Sequence, residues 1–279
     1  MTERPRLYYF IAPPTTGRDP LLADLVDSTF DPEEPVILLE EPGDPLAPEI
    51  RSSLKGRPGT VIVPWRFDAA THRFTTEALN PGAGTGEETL LALPDGAGPL
   101  VDQLEGLQGF LRRMDFRLAR IVCLLDCGLA AEDDQALAFY KACIHFSDVI
   151  LLTNRKAAGN AWVQQLLSRY EKEHLPARLI LMKKGKVENP AEVMDPTARR
   201  LSQLFEEDYP GADGRPAWAA GLPDDVIIED EAGEPLDEDD DDTPDVDPYL
   251  ERRHEGGPRR LPLPDIRAVL QRAGRLPDG

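Results

Sequence analysis

The regular alternation of short, wholly apolar segments with longer amphipathic ones is the feature that most constrains the fold of this chain. Segments that are apolar at nearly every position are typical of strands covered on both faces, as in parallel sheets. Strands that alternate with helices predict an α/β fold with a doubly wound, mostly parallel sheet. The predicted strands are 7–11, 36–39, 60–63, 89–93, 121–125, 149–152 and 178–182, and the predicted helices are 20–26, 100–114, 133–146 and 161–173.

The charge and the apolar pattern limit the partners and the compartment. A net charge of −20 over 279 residues argues against nucleic acid and against an anionic membrane surface, because both would repel the chain. No apolar run approaches the roughly 18 residues of a transmembrane helix, and the apolar stretch near the start is too short for a signal peptide. Three cysteines without a disulfide spacing indicate reduced thiols. We therefore expect a cytoplasmic protein, with its oligomeric state left open.

The negative charge is concentrated near the C-terminus. Residues 224–247 contain 14 acidic side chains and no basic one, a density that predicts disorder because like charges repel. Such a run could also collect divalent cations weakly, but it lacks the spacing of a calcium loop, and we assign no metal site. Breakers after Tyr209 mark the expected end of the folded domain. The predicted organisation is an α/β domain over 1–209, an acidic disordered linker over 210–250 and a basic tail over 251–279.

The loop after the first predicted strand is the first candidate site, because ligands of doubly wound sheets bind at the carboxyl ends of strands. Residues 12–22 read A-P-P-T-T-G-R-D-P-L-L. A phosphate loop needs glycines that let backbone N–H groups wrap the phosphates, a lysine and a metal-binding hydroxyl. Here Gly17 stands at the last glycine position, Arg18 at the lysine position and Asp19 at the hydroxyl position. Asp19 would place a negative charge beside a triphosphate.

An ordinary turn between a strand and a helix explains the same loop. Pro13 and Pro14 have no N–H group to offer a phosphate. Asp19 suits the N-cap of the following helix, and Pro20 suits its first turn. We therefore keep two interpretations: a residual anion site with Arg18 as its cation, or a capped turn.

Further segments follow the predicted strands in a fixed order. After G-R-D-P-L-L-A-D-L-V come V-I-L-L-E-E-P-G-D, L-L-A-L-P-D-G-A-G-P-L-V at 90–101, I-V-C-L-L-D-C, and F-S-D-V-I-L-L-T-N-R-K-A at 146–157. Their order and spacing over residues 7–195 resemble the CobW-type P-loop GTPases, a family of metallochaperones. The resemblance implies a P-loop NTPase-like fold. It matches Gly96 to the glycine that senses the γ-phosphate, and Asp126 to a family aspartate at a strand end.

The resemblance also shows which base-binding groups are missing. The family's N-K-x-D motif selects guanine, with the asparagine on the base and the aspartate accepting from its donors. Asn154 matches the asparagine, Arg155 takes the lysine position, Lys156 the variable position and Ala157 the aspartate position. Without that carboxylate the guanine donors would be left unpaired, a loss of a few kcal/mol in a buried site. A bonding role for Asn154 between neighbouring loops is the simpler interpretation.

The metal-binding groups of the family are missing as well. Leu93 falls at the acidic position associated with Mg²⁺, and the family's C-x-C-C motif would fall at 59–63, where there is no cysteine. We therefore assign no catalytic residue, no metal and no cofactor, and we expect a non-catalytic scaffold or a regulatory protein-interaction module. The alternative is a residual nucleotide- or phosphate-binding protein that takes GTP or another nucleotide with Mg²⁺. The candidate binding residues are Gly17, Arg18, Asp19, Gly96, Asn154 and Lys156.

The basic tail contains a short amphipathic pattern. Pro264 and Asp265 can begin a helix that carries arginines on one side and apolar residues on the other. A short amphipathic segment beyond a tether is typical of a peptide that docks on a protein partner. The tail could equally fold back onto its own domain or its own acidic run. The predicted docking residues are Leu263, Ile266, Val269 and Leu270.

The cysteines and histidines do not form a metal site by their spacing. Cys123 and Cys127 are expected on one face of a strand about 13 Å apart, too far to share an ion, so core packing is the preferred interpretation. His145 is expected at a helix end, and the other histidines have no cysteine or histidine at ligand spacing.

Overall fold

A parallel sheet flanked by helices forms the centre of the protein. The computed structural model of the chain describes residues 4–76, 79, 88–206, 247–253 and 259–277. The strands are β1 (Arg6–Ile11), β2 (Val36–Glu40), β3 (Thr60–Pro64), β4 (Arg66–Asp68), β5 (Arg73–Thr75), β6 (Thr89–Leu93), β7 (Arg117–Asp126), β8 (Val149–Thr153) and β9 (Arg178–Leu181). The helices are α1 (Arg18–Thr29), α2 (Pro48–Lys55), α3 (Leu100–Met114), α4 (Cys127–Glu132), α5 (Asp134–Phe146), α6 (Arg155–Ala158), α7 (Asn160–Lys172), α8 (Pro190–Met194) and α9 (Ile266–Arg272).

The strand order confirms the predicted doubly wound sheet. Seven strands run parallel in the order β3-β2-β6-β1-β7-β8-β9, while β4 and β5 form a separate antiparallel pair. From the central β1 the chain first forms β2 and β3 on one side and then β6, which lies between β1 and β2; it then forms β7, β8 and β9 outward on the other side. The carboxyl ends of β1, β6 and β7 therefore meet at one edge of the sheet, where ligands bind in folds of this class.

Neighbouring side chains of β1 show that both faces of the sheet are covered. The Tyr8 hydroxyl donates to the carbonyl of Met194 in α8 at 2.7 Å. The Tyr9 hydroxyl donates to Gln103 Oε1 in α3 at 3.4 Å, and both tyrosines are buried. Since successive residues of a strand point to opposite faces, α8 and α3 lie on opposite sides of the sheet. This double cover explains why the strands are apolar at nearly every position.

The helix bounds agree with the sequence pattern where the pattern is long. The predicted helix over 100–114 is α3, and the predicted 133–146 is α5 with Asp133 as its N-cap. The N-cap predicted at Asp19 is wrong. Gly17 precedes α1 with no side-chain cap, and the Asp19 carboxylate instead accepts from the Ala47 N–H group at 2.7 Å. The short elements α2, α4, α6, α8 and the β4–β5 pair were not predicted.

The chain divides into two compact units, one of which is discontinuous in sequence. The first contains residues 1–201 together with 263–279, and the second contains 202–262. The described part of the second unit includes a turn at 247–250 and an ion pair between Arg260 and Glu251 at 2.7 Å. The final helix α9 therefore belongs to the α/β unit. Nearly all of the acidic run 224–247 lies outside the described residues, as does the boundary expected near Tyr209.

Two fully buried charged side chains hold the irregular segment that follows α8. Arg120, in β7, donates to the carbonyls of Glu192 at 2.5 Å, Val193 at 3.3 Å and Thr197 at 3.2 Å. Its Nη2 also lies 3.4 Å from Asp195 Oδ2. Burial lowers the pKa of Arg120, and the nearby carboxylates oppose that effect. The guanidinium thus supplies donors to carbonyls at the end of α8 and just after it.

Asp148, just before β8, makes the complementary contact. Its carboxylate accepts from the N–H groups of Ile121 at 2.7 Å, Arg199 at 2.6 Å and Arg200 at 3.1 Å. It also forms an ion pair with the largely buried Arg200 guanidinium at 3.1 Å. Together, Arg120 and Asp148 fix the path of the chain from 192 to 200 against β7.

Within the described part of the chain, no helix combines the length and the apolarity that crossing a bilayer requires.

Candidate functional site

The loop between β1 and α1 closes on itself. The Thr16 hydroxyl and N–H group both bond to the carbonyl of Pro13, at 2.7 and 3.3 Å. Thr15 and Gly17 have left-handed φ angles of 72° and 85°. The left-handed position of Gly17 suits a glycine, which agrees with its assignment as the last glycine of the loop. Thr15 adopts the same region with a β-branched side chain, a conformation that the surrounding loop must stabilise.

The Arg18 side chain is bound on all sides by the protein. It is buried, and its Nε donates to Asp19 at 2.8 Å while its Nη1 donates to Asp44 Oδ2 at 2.7 Å. Its Nη2 donates to the carbonyls of Asp44 at 3.2 Å and Pro45 at 3.4 Å. All three guanidinium nitrogens therefore have partners, and two carboxylates surround one positive charge. The positive charge of Arg18, which was predicted to bind a phosphate, is thus balanced by carboxylates of the protein itself.

Gly96, the residue matched to the γ-phosphate sensor, meets the same carboxylate. Its N–H group donates to Asp44 Oδ2 over a long 3.4 Å. That single oxygen thus receives both of the donors that the resemblance assigns to a phosphate. Burial raises the pKa of Asp44, and the Arg18 charge opposes the rise. Sequence reasoning gives Asp44 no role, because nothing local in the segment after β2 links it to Arg18.

The missing side chain of Gly96 is what allows this arrangement. A Cβ atom at Gly96 would lie 2.0 Å from the carbonyl oxygen and 2.7 Å from the carbonyl carbon of Ala12. The loop after β6 therefore presses directly on the backbone of the loop after β1. A cavity of ≈450 Å³ lies between the loop after β1 and the segment after β2, lined by Thr15, Gly17, Arg18 and Asp44 among others. That volume lies within the range of small-ligand sites.

Gly96→Ala is expected to lower the free energy of unfolding by about 2–3 kcal/mol, because backbone atoms must move apart to accept the methyl group. Gly109→Ala, in the middle of α3, is the matched control. A Cβ there meets only the flexible end of Arg113 at 3.2 Å, so the helix should gain about 0.5–1 kcal/mol. Urea unfolding followed by circular dichroism measures both changes. Equal effects of the two substitutions would show that the loops can separate freely.

Asn154 lies at a second place, the end of β8, where it binds protein rather than presenting a free amide. Its Nδ2 donates to Asp126 Oδ2 at 2.7 Å, and its backbone adopts a left-handed φ of 47°. Asp126 Oδ1 accepts from the Leu129 N–H group at 2.9 Å and so caps α4. Arg275 Nη1 donates to Asp126 Oδ2 from the C-terminal segment. We refer to Asp126 and Asn154, which Arg275 contacts, as the Asp126 corner.

Two of the three residues after Asn154 contact other parts of the protein. Arg155 donates to the carbonyl of Met182 at 3.0 Å, and Lys156 is exposed. Ala157, at the position of the base-binding aspartate, faces α4. A Cβ added at Gly128 would lie 2.8 Å from the Cβ of Ala157. The structure thus gathers Gly17, Arg18, Asp19 and Gly96 in one place, and Asn154 and Lys156 at another.

The C-terminal helix packs on its own unit. Asp265 caps α9 by accepting from the N–H groups of Arg267 and Ala268, which agrees with the predicted start of the helix. The helix contacts α5. Of the predicted docking residues, Ile266, Val269 and Leu270 are buried and Leu263 is half-buried. The structure thus places the tail on its own domain, one of the two alternatives; docking of a protein partner through the same residues stays a prediction.

The cysteines are packed in the core, and one histidine has carboxylate neighbours. Cys123, Cys127 and Cys143 are buried, and burial raises the pKa of Cys127 to about 12. Cys127 begins α4 rather than lying on the strand with Cys123.

The ligand atoms of His72, Asp102 and Glu105 lie within 4.8 Å of one another. The separation of 3.8 Å between His72 Nδ1 and Asp102 Oδ1 fits an ion pair when the histidine is protonated.

Comparison with known proteins finds similarity only among solved structures. No protein-family model matches the chain, and no curated protein matches it. The Zn(II)-bound YjiA GTPase from E. coli is 15% identical, with a TM-score of 0.41, over 71% of this chain and 63% of that one. The cell division protein FtsY from Thermotoga maritima is 16% identical, with a TM-score of 0.39, over 74% of this chain and 70% of that one. The chain spans less than two thirds of YjiA, and similarity at this level assigns no family.

Proposed function

We propose that this chain is a GTP-binding-fold domain with a degenerate nucleotide site, used as a non-catalytic scaffold or regulatory protein-interaction module. The observation that carries the proposal is the Asp44 carboxylate, whose Oδ2 accepts from both Arg18 Nη1 and the Gly96 N–H group. The chain's own carboxylate takes the donors that a phosphate would need.

Electrostatics at this place supports the same conclusion. Arg18 carries one positive charge, while Asp19 and Asp44 carry two negative charges within hydrogen-bonding distance of it. An incoming triphosphate would have to displace Asp44 from Arg18 and approach Asp19, leaving a largely buried carboxylate without its partner. These contacts do not fit a magnesium-bound triphosphate. Asp19 is also committed to the Ala47 N–H group, so it is not free to bind a metal ion.

The Asp126 corner supports the proposal at the end where a base would bind. The amide of Asn154 is committed to Asp126, and the aspartate of the N-K-x-D motif is replaced by Ala157. A guanine there would lose its carboxylate partner and compete with Asp126 for the amide. A chain of net charge −20 is expected to act on a protein partner, since it repels nucleic acid and anionic membranes.

A residual phosphate- or nucleotide-binding protein is the second candidate. The cavity of ≈450 Å³ beside Thr15, Gly17 and Arg18 favours it, since the loop backbone is already bent at two left-handed positions. A ligand in this cavity would meet the first turn of α1, where helix N–H groups attract anions.

A thermal-shift panel with GTP, GDP, ATP and inorganic phosphate, each with and without Mg²⁺, separates the two candidates. We expect no shift for the wild-type chain. A ligand at 100 times its Kd would add about 2.7 kcal/mol, enough to raise the Tm of a domain of this size by about 5–10 °C. A magnesium-dependent rise with GTP, accompanied by turnover, would contradict the scaffold proposal in favour of the second candidate.

Asp44→Asn tests whether the Asp44 carboxylate is what prevents a phosphate from binding. This substitution removes the charge but keeps the size, so Arg18 and the Gly96 N–H group become available to an anion. We expect the variant to gain a shift with inorganic phosphate that the wild type lacks. Asp27→Asn, an exposed position near the end of α1, is the control and should behave like the wild type. Silence of both variants would show that Asp44 is not what keeps phosphate out.

A further inference from the structure

We propose that residues 263–277, which we name the latch, form a releasable cover over the Asp126 corner. In the closed form the latch is bound to its own domain. In the open form the corner and the apolar side of α9 become exposed together. Opening of the latch at the carboxyl edge of the sheet does not depend on whether a nucleotide binds. A protein partner can dock on the apolar side of α9 only when the latch is open.

The latch is anchored by apolar side chains. Ile266, Val269 and Leu270 are exposed by 2, 0 and 1%. They lie on one side of α9, which packs on α5. A helix of seven residues is too short to be stable alone in water, so α9 holds its shape because it is docked. Release of the latch is therefore a local unfolding of the chain end, of the kind that native proteins undergo without losing their core.

Three arginines of the latch reach three aspartates at the carboxyl edge of the sheet. Arg267 pairs with Asp95, after β6, at 2.6 Å. Arg272 pairs at 3.2 Å with Asp133, the N-cap of α5, and also donates to Gln135. The third pair joins Arg275 to Asp126, at the end of β7. Asp95 follows β6, whereas Asp126 and Asp133 flank α4 after β7, so the latch contacts the ends of two strands.

The exposure of these pairs makes the closed form sensitive to salt. The Arg267–Asp95 side chains are 50% and 28% exposed, and the Arg272–Asp133 side chains are 53% and 27% exposed. Exposed pairs weaken as ionic strength rises, because counterions screen them. Arg275–Asp126 is more protected, at 21% and 1%. Salt should therefore weaken mainly the two outer pairs and raise the fraction of molecules with an open latch, while the apolar anchor and the inner pair still favour the closed form.

Release changes the surface in two ways. Asp126 loses the Arg275 guanidinium but keeps the Asn154 amide and the Leu129 N–H group, so the edge presents carboxylates that no longer face the arginines of the latch. At the same time the apolar side of α9 is freed. Since these side chains are buried while the latch is closed, a partner can contact them only after release. Binding of a partner to the tail and closure of the Asp126 corner are thus mutually exclusive.

Hydrogen exchange followed by mass spectrometry on the full chain tests the latch. We expect the amides of 266–272 and 127–132 to exchange faster as salt is raised, while those of 149–152 in the central sheet stay unchanged. The variant Arg267→Glu/Arg272→Glu/Arg275→Glu removes three pairs, each worth roughly threefold in the opening equilibrium, so exchange in α9 should rise by about 30-fold or more. The matched control reverses three exposed arginines elsewhere, Arg66, Arg73 and Arg112.

A charge exchange distinguishes a specific pair from a general effect of charge. Because Asp133 also caps α5, the exchange is made at the other outer pair: Asp95→Arg alone should speed exchange in α9, and adding Arg267→Glu should restore protection. The proposal is overturned if α9 exchanges as slowly as β8 at every salt concentration, or if the control variant opens it equally. Should the triple variant fail to fold, the salt series on the wild-type chain decides the matter alone.

Discussion

Asp148→Ala is expected to lower the free energy of unfolding by about 3–5 kcal/mol, near the upper end of what single substitutions cause in proteins. The carboxylate is fully buried and accepts from three backbone N–H groups, those of Ile121, Arg199 and Arg200. Alanine would remove this acceptor from all three. It would also remove the Asp148 carboxylate from the largely buried Arg200 guanidinium, and breaking one side of a buried ion pair is strongly destabilising.

Urea unfolding followed by circular dichroism measures this loss, with Asp27→Ala as the control. Asp27 is exposed on α1, and its replacement should change stability by no more than about 0.5 kcal/mol. If Asp148→Ala behaves like Asp27→Ala, the segment after α8 is not held by this carboxylate. Hydrogen exchange should also show that 195–201 loses protection in the variant before the central strands do.

Arg120→Met is expected to lower the free energy of unfolding by about 3–4 kcal/mol, since methionine fills the space of the stem but offers no donor. The carbonyls of Glu192, Val193 and Thr197 would then be left without this donor in the interior. Hydrogen bonds from Thr197 are the main reason that the pKa of Asp195 lies below its ordinary value, and the Arg120 charge adds to them. Because the Asp195 side chain is 47% exposed, loss of this ion pair should add little to the effect of the lost carbonyl bonds.

Arg112→Met, at an exposed position of α3, is the control for loss of charge and should be close to neutral. The double variant Asp148→Ala/Arg120→Met should lose less than the sum of the two single losses. Both side chains hold the same segment, and freeing it once removes most of what the second contact can contribute. Strict additivity in urea unfolding would show that Arg120 and Asp148 act on independent parts of the chain.

The sheet could be predicted from sequence because its strands carry their own signal. A strand covered on both faces is buried at every position, as β6 and β8 are, and four of the five residues in each are apolar, so such runs stand out from their surroundings. The helix α3 was predicted with its bounds because an apolar residue recurs at each turn over 15 residues. The elements α4, α6 and α8 have four to six residues, too few for a periodic pattern to develop.

Only part of the candidate site could be predicted. The sequence shows which residues follow each strand, but it does not show which distant residues they contact. Gly17, Arg18 and Gly96 were found by their position after strands. Asp44, which lies 26 residues from Arg18, could not be connected to it without the fold. The same reason explains the error at Asp19: its side chain suits a helix cap, but the Ala47 N–H group, supplied by a distant loop, binds it instead. A side chain that suits a helix cap does not cap the helix when the fold supplies another donor for it.

The discontinuous unit has a consequence for how the protein is made. Residues 1–201 contain every strand that the structure describes, whereas the piece that completes the unit, 263–279, leaves the ribosome later. Domains generally fold as units during synthesis, with the N-terminal part first. The sheet can therefore assemble while Asp95, Asp126 and Asp133 still await their arginines. Every newly made chain passes through a period in which that acidic edge is accessible, and a chaperone or assembly partner has its easiest access then.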